Sequence, residues 1–318
     1  MSSGRRKFLK GIGAVVLLPV IPAVAIGNMQ ASGYGLVPAN EQPHTDLQLS
    51  HRILCCNIRV ALDEDEAKGF GWSTRRDICL KIIKEKKPDI ISLQEVLKVQ
   101  ADDFRKHFPS YQLFGFDGPE MDEHPTGYHG IAKNPILFSK DRYDLMTAGT
   151  YWLSETPLVA GSKSWDTARA RHANWVRLRE KKTGKELRVV NLHLDHVSNE
   201  AKVEQAKMVV NESAQYQPEF NQLLTGDFNT RFDSNVLSAV RTAGWKESYE
   251  TIHGEKEAGH TGHEFQGEKY VKASSKGRID YIWYRGKVKP TASMIIKDQV
   301  KGKYPSDHFF MQTDFVIG

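Results

Sequence analysis

The chain has 318 residues, 40% apolar and 26% charged, enough for a substantial core and too ordinary in balance for a disordered or fibrous protein. Its formal charge is +5, but Arg5, Arg6, Lys7 and Lys10 supply four of those charges in a stretch without acids, which leaves 5 − 4 = +1 for the body and gives bulk charge no case for indiscriminate nucleic-acid binding. The three cysteines, Cys55, Cys56 and Cys79, exclude a disulfide framework and a Cys-x-x-Cys zinc site, and are expected to be buried.

Residues 1–27 read as a targeting segment. Gly4-Arg5-Arg6-Lys7-Phe8-Leu9-Lys10 precedes a moderately apolar run broken by Pro19 and Pro22, and Ala23-Val24-Ala25 offers a small-x-small cleavage site. This resembles a twin-arginine export signal, so a periplasmic or extracellular location is expected. Left uncleaved, the same run would anchor the chain to a membrane. Residues 28–50 read as a linker, and 51–318 as one domain.

A buried strand is expected at 52–59, with Asn57 near its end. Asp63-Glu64-Asp65-Glu66 reads as a charged, solvated loop. Apolar spacing predicts a helix over 75–86, a strand over 89–95 ending in Glu95, and a helix over 97–108. A loop at 115–130 precedes strands at 133–139 and 143–153; Trp152 reads as core. The loop 161–171 carries Trp165, Arg169 and Arg171. A hairpin follows, 173–180 with 186–194 around Thr183-Gly184, and its second strand ends in Asn191-Leu192-His193-Leu194-Asp195-His196. After a helix over 200–214 comes Leu223-Leu224-Thr225-Gly226-Asp227-Phe228-Asn229. There an apolar strand stops at glycine and presents a carboxylate and a carboxamide on one side. A short helix near 235–242, a loop over 253–277, a strand over 278–284 containing Asp280, and a last strand at 309–316 after Asp307-His308 complete the chain. His253, His260 and His263 are expected to be solvated loop residues rather than a metal cluster.

Asn57, Glu95, His193, Asp227 with Asn229, Asp280, and Asp307 with His308 thus all stand at strand ends or adjoining turns, where sites in α/β sheets collect. The pieces Cys56-Asn57, Leu93-Gln94-Glu95-Val96, Asn191-Leu192-His193, Thr225-Gly226-Asp227-Phe228-Asn229, Arg278-Ile279-Asp280-Tyr281 and Ser306-Asp307-His308 resemble, in order, the motifs of the endonuclease/exonuclease/phosphatase superfamily, the deoxyribonuclease I-like hydrolases. The resemblance spans roughly 52–316, and looks like the bacterial exported members. It implies an α/β fold, a four-layer sandwich of two mainly antiparallel sheets with helices outside, and divalent-metal-dependent cleavage of phosphate esters.

Such chemistry needs an in-line oxygen nucleophile, neutralised phosphoryl oxygens and help for the leaving oxygen. Within the resemblance, Glu95, Asn57 and Asp307 are the expected ligands of Mg²⁺ or Mn²⁺, a hard ion that prefers oxygen. Asp227 is expected to orient or deprotonate water, Asn229 to donate to phosphate, and His193 to donate to phosphate or leaving group. Asp280 is expected to hold His308 as a cation. Arg171 and Trp165 are candidate substrate contacts. The expected partner is a phosphoester: a sugar phosphate, nucleotide, lipid headgroup or nucleic acid, with a small or terminal ester favoured over long duplex DNA. No stable protein partner is inferred. Two alternatives stand beside this reading: a catalytically silent phosphate-binding module on the same fold, and a zinc hydrolase of the metallo-β-lactamase type built on His193-x-Asp195-His196.

Overall fold

The computed structural model describes residues 50–254, 259–270 and 277–318. The targeting segment, all but the last residue of the linker, and parts of the 253–277 loop lie outside them.

Two six-stranded sheets pack face to face. The first runs, in spatial order, β11 (Val288–Ile296), β12 (Phe310–Ile317), β1 (Ser50–Asn57), β2 (Ile90–Gln94), β4 (Ile136–Ser139) and β3 (Tyr111–Phe114). The second runs β5 (Tyr143–Trp152), β6 (His172–Glu180), β7 (Glu186–His193), β8 (Gln222–Asp227), β10 (Asp280–Arg285) and β9 (Lys246–Glu247). Each holds one parallel pair, β1 with β2 and β7 with β8, among antiparallel neighbours.

Alternation sorts the side chains into layers. Ile53 and Cys55 of β1 join Val176, Leu178, Val189, Leu223 and Ile282 of the other sheet in the core between the sheets. Leu54 and Cys56 face outward and pack with Cys79, Ile82, Ile83 and Phe104 of α2 (Trp72–Lys86) and α3 (Lys98–His107). On the far side Val190, Leu192 and Leu224 meet Val209, Val210 and Val240 of α5 (Asn199–Ser213) and α6 (Asn235–Thr242). The result is the expected four-layer α/β sandwich. Two of the covering helices show a local reason to start or stop. Ser198 caps α5 by accepting from Ala201 N–H, and α2 ends at Lys87 in a left-handed conformation immediately before Pro88.

Register gathers the site. In the parallel pairs Asn57 lies opposite Gln94, and His193 opposite Asp227. Antiparallel β10 then sets its first residue, Asp280, opposite Asp227. One edge of the sandwich therefore receives the ends of β1, β2, β7 and β8 and the start of β10. Gly226 makes the closest step: a Cβ there would lie 2.2 Å from the carbonyl oxygen of Leu192, so only glycine lets β8 run this near to β7.

Several expectations need correction. The acidic stretch is helix α1 (Asp63–Ala67), not a solvated loop; Asp65 is buried against Arg59, with Oδ2 2.8 Å from Nε. The 115–130 loop contains α4 (Pro119–Glu123), and an unexpected helix, α7 (Ser248–His253), ends at the first residue of the region read as loop from 253. Strands β3, β9 and β11 were not expected. Among the histidines, His263 is fully buried against Phe309 and Tyr304, and burial pushes its pKa down to about 3. Among the described residues, no helix is long and apolar enough to cross a membrane.

Candidate active site

Asp227 is the centre. Its Oδ1 accepts Asn229 N–H at 2.8 Å, and its Oδ2 accepts Asn57 Nδ2 at 3.0 Å. The same Oδ2 lies 3.4 Å from His193 Nε2 and 3.9 Å from His308 Nε2. Burial, then the nearby charge of Asp280, push its carboxyl up to about 7, with His308 and the hydrogen-bond donors opposing. Such a group can exchange a proton near neutrality.

The two imidazoles go opposite ways. Burial drives His308 down, but the charge and hydrogen bond of Asp280, with Asp227 and Asp307 beyond, overcome it and hold the ring well above its usual range. His308 Nδ1 stands 2.8 Å from Asp280 Oδ2, which assigns Nδ1 as donor and turns Nε2 toward Asp227. His193 is buried near Arg171 and the other histidines, and is held well below its usual range. The first ring is biased toward its cation and the second toward its neutral form, within reach of the same carboxylate.

Glu95 enters from the other sheet with φ of 63°, a left-handed conformation that a non-glycine residue adopts at a cost of about 1 kcal/mol or more. Val60 N–H donates to its Oε2 at 2.9 Å, and Asn57 Nδ2 approaches Oε1 at 3.2 Å. Asp307 faces the same space. Burial pushes its pKa up, His308 opposes, and the charge of Glu95 adds to the rise. Arg59 Nη1 sits 3.5 Å from Asp307. Buried Arg75 ties the segment together by donating to the carbonyls of Ile58 (2.7 Å) and Pro305 (2.9 Å).

The carboxamides are placed differently from expectation. Asn57 Oδ1 accepts Arg59 N–H at 3.0 Å, so its nitrogen, not its oxygen, bridges Glu95 and Asp227. It stands here as a donor to both carboxylates. Asn229 Nδ2 meets His193 Nε2 at 2.9 Å and Leu194 O at 3.0 Å, which occupies both amide protons and makes Asn229 a support for His193.

Glu95, His193, Asp227, Asn229, Asp307 and His308 line a cavity of ≈ 520 Å³ with Arg59, Glu64, Tyr128, Arg169, Arg171, His196 and Glu264, while Asn57 and Asp280 stand behind its wall. Arg171 is nine-tenths buried; its Nη2 is 3.4 Å from His196 Nδ1, and its Nε has no partner among the described residues. A buried guanidinium so placed calls for an anion. Arg169 lies over the Tyr128 ring at the rim. Trp165 is not part of the cavity wall; its carbonyl accepts Ser198 Oγ, so it anchors its loop. A larger cleft of ≈ 710 Å³ lies beyond Leu62 between α1, α2 and α3, but none of the strand-end groups lines it.

Asp195 explains the His-x-Asp-His stretch without zinc. Its Oδ1 accepts Thr167 Oγ1 and Ala168 N–H, and its Oδ2 accepts Val197 and Ser198 N–H, all at 2.7–3.0 Å. Fully buried, it staples the loop that ends at Arg171 to the turn that carries His196.

Asp227, Asp280 and His308 also bring one ligand atom each within 4.8 Å of one another, close enough to surround a single ion. Arg59, Glu64, Tyr128 and Glu264 escape a sequence reading of the site, and His196 entered it only through the zinc-hydrolase alternative. Of the four, Arg59 alone carried a signal, as a cation two residues past the β1 terminus.

A buried cluster of carboxylates and imidazoles on the strand-end edge of a two-sheet α/β sandwich defines an acid–base site on the deoxyribonuclease I-like fold. The chain belongs to the endonuclease/exonuclease/phosphatase family, whose model matches residues 64–308. It is similar to an endonuclease/exonuclease/phosphatase from Bacteroides vulgatus at 28% identity, covering 85% of this chain and 99% of that one with a TM-score of 0.73. It is similar to the Bacteroides thetaiotaomicron mannosyl-6-phosphatase at 27% identity, covering 84% and 100% with the same TM-score. D. rerio TDP2 complexed with a single-strand DNA product shares the fold at 19% identity, covering 84% and 98%, TM-score 0.65. No curated protein matches the chain.

Proposed function

We propose that this protein hydrolyses small or terminal phosphoesters with the help of Mg²⁺ or Mn²⁺. The observation that carries this reading is the convergence of Asp227, His193 and His308 beside Glu95 at one cavity, with Asp280 bonded to His308 behind its wall. The donor set fits a hard dication: Glu95 and Asp307 supply oxygens, and their mutual repulsion is what a cation relieves. His308 fits less well as a ligand, because a ring kept protonated by Asp280 has no free lone pair. When bound, the ion supplies charge neutralisation at the phosphoryl oxygens.

The chain's own groups do the rest. Asp227 orients the attacking water and takes its proton. His308 Nε2 donates to a phosphoryl oxygen, and Arg171 holds another. Asn229 keeps His193 turned into the site. The family supports phosphoester hydrolysis in general. The sugar-phosphate relative at 27% identity, the small size of the cavity and the near-neutral body favour a sugar phosphate or similar ester over duplex DNA.

Turnover of bis-p-nitrophenyl phosphate, p-nitrophenyl phosphate and a panel of sugar phosphates, phosphoinositides, sphingomyelin, RNA and plasmid tests this reading. Mg²⁺-dependent cleavage of a small ester, abolished by EDTA, is expected. Phosphate binding without turnover of any ester would make the protein a silent binding module, and preferential nicking of plasmid would overturn the substrate class. Arg171→Met should lower kcat/KM about 10- to 100-fold, the worth of a charged hydrogen bond. The Gly4 to Lys10 motif further supports export. Replacing Arg5 and Arg6 by Lys should retain the protein in the cytoplasm, and a wild-type chain found wholly there would refute it.

A further inference from the structure

The Asp280–His308 pair spans the gap between the two sheets. Asp280 opens β10 of one sheet, and His308 precedes β12 of the other. No strand ladder runs between β10 and β12, so their relative position must be set by something else. The described part of the 259–270 segment lies across both.

Thr261 is fully buried there. Its Oγ1 accepts Ile279 N–H at 3.0 Å and Asp280 N–H at 3.2 Å, while its carbonyl accepts Phe309 N–H at 2.8 Å. One residue thus holds the backbone on either side of the pair. Its neighbours add to the grip on β12: Gly262 bridges to His308, and His263 N–H donates to Asp307 O at 2.7 Å.

We infer that Thr261 is the positioning residue of this site: its hydroxyl and carbonyl fix the separation of Asp280 and His308, and so the direction in which His308 Nε2 points. The role rests on the proposed hydrolysis only for its kinetic consequence. A hydroxyl that merely filled space would matter to stability and not to this geometry.

The variants Thr261→Val, which keeps shape and carbonyl but removes the acceptor, and Thr261→Ser, which keeps the acceptor, separate the two roles. Two readouts are needed. One is steady-state kinetics on the best small ester. The other is the far-downfield proton resonance expected of His308 Nδ1–H bonded to Asp280, assigned by its loss in Asp280→Asn. Thr261→Val should lower kcat about 10- to 100-fold, the cost of a small misplacement, with KM within about twofold, and should shift or broaden the resonance. Thr261→Ser should restore both to within about twofold of wild type. A Thr261→Val protein that melts earlier yet keeps kcat and an unaltered resonance would overturn the inference. Should Thr261→Val not fold, Thr261→Ala serves, with the same two outcomes. If wild type turns over no phosphoester, the proposed function falls, and the resonance alone still decides the role of Thr261.

Discussion

The two ends of the sandwich use the same kinds of residue to opposite effect. At the end away from the site, His51 Nδ1 meets Tyr143 OH at 2.6 Å, and Arg142 bonds Asp89 (2.7 Å) and Glu180 (2.8 Å). Arg52 is 2.7 Å from Asp314. Each of these carboxylates faces a guanidinium. Glu180 stays below its usual range: burial works against it, but Thr183 and Arg142 prevail. At the site end, Asp227 crowds Asp280, and Asp307 crowds Glu95. Charge there is matched only in part, and the carboxyls of Asp227 and Asp307 are pushed up. Matched clusters hold a fold together; like-charge clusters of this kind mark functional sites.

The largest effect should come from breaking the site end. His308→Ala or Asp227→Ala is expected to lower kcat about 10²- to 10⁴-fold with near-native circular dichroism. Collapse of the fold instead would mean that this end, too, is structural. Next is the far end: Arg142→Met strands Glu180 and Asp89 and should cost about 3 kcal/mol in urea unfolding, with kcat per folded molecule unchanged.

A pH effect of similar origin follows. Burial, then Arg142, hold the pKa of His51 at about 4, against 6.5 for the ordinary side chain. Between those values the unfolded chain binds the proton and the folded chain does not. Stability is therefore intact above about pH 6.5 and falls by up to about 3 kcal/mol as pH drops toward 4. His51→Gln should flatten that part of the curve, and an unchanged slope would assign it elsewhere. The smallest effect belongs to the site end again. Mg²⁺ at ten times its Kd should stabilise by about 1.4 kcal/mol, raising Tm by a few degrees, and Glu95→Gln should abolish the shift. Equal stabilisation of Glu95→Gln would place the ion elsewhere.

What could be read from sequence follows from how each contact is made. Strands with apolar alternation or unbroken apolar runs, such as 52–57, 90–94 and 222–227, show themselves, and so do the polar residues that end them. Strand β11 hides because Pro290 interrupts it, at an irregular register on the edge of its sheet where proline is tolerated. Helix α1 hides because its one inward residue, Asp65, is an acid whose burial depends on Arg59, and hydropathy cannot see a partner. Residue types at the site were legible, but not their directions. The amide of Asn57 is turned by Arg59 N–H, and that of Asn229 by Leu194 O, both backbone contacts made only once the chain has folded. Thr261, Tyr128 and Glu264 reach the site from loops with no periodic signal.

The three cysteines have a practical consequence. Cys55, Cys56 and Cys79 are all fully buried and unpaired, and burial raises the pKa of each thiol, that of Cys79 to about 12. A buried thiol with little thiolate is unreactive. The native protein should stay silent to Ellman's reagent and yield three equivalents of thiol when denatured. One new cysteine at exposed His129, between Tyr128 and Gly130 of the cavity lining, would then be the sole accessible handle for a fluorophore or spin label. A reporter of ligand entry can thus be installed without first removing a native residue.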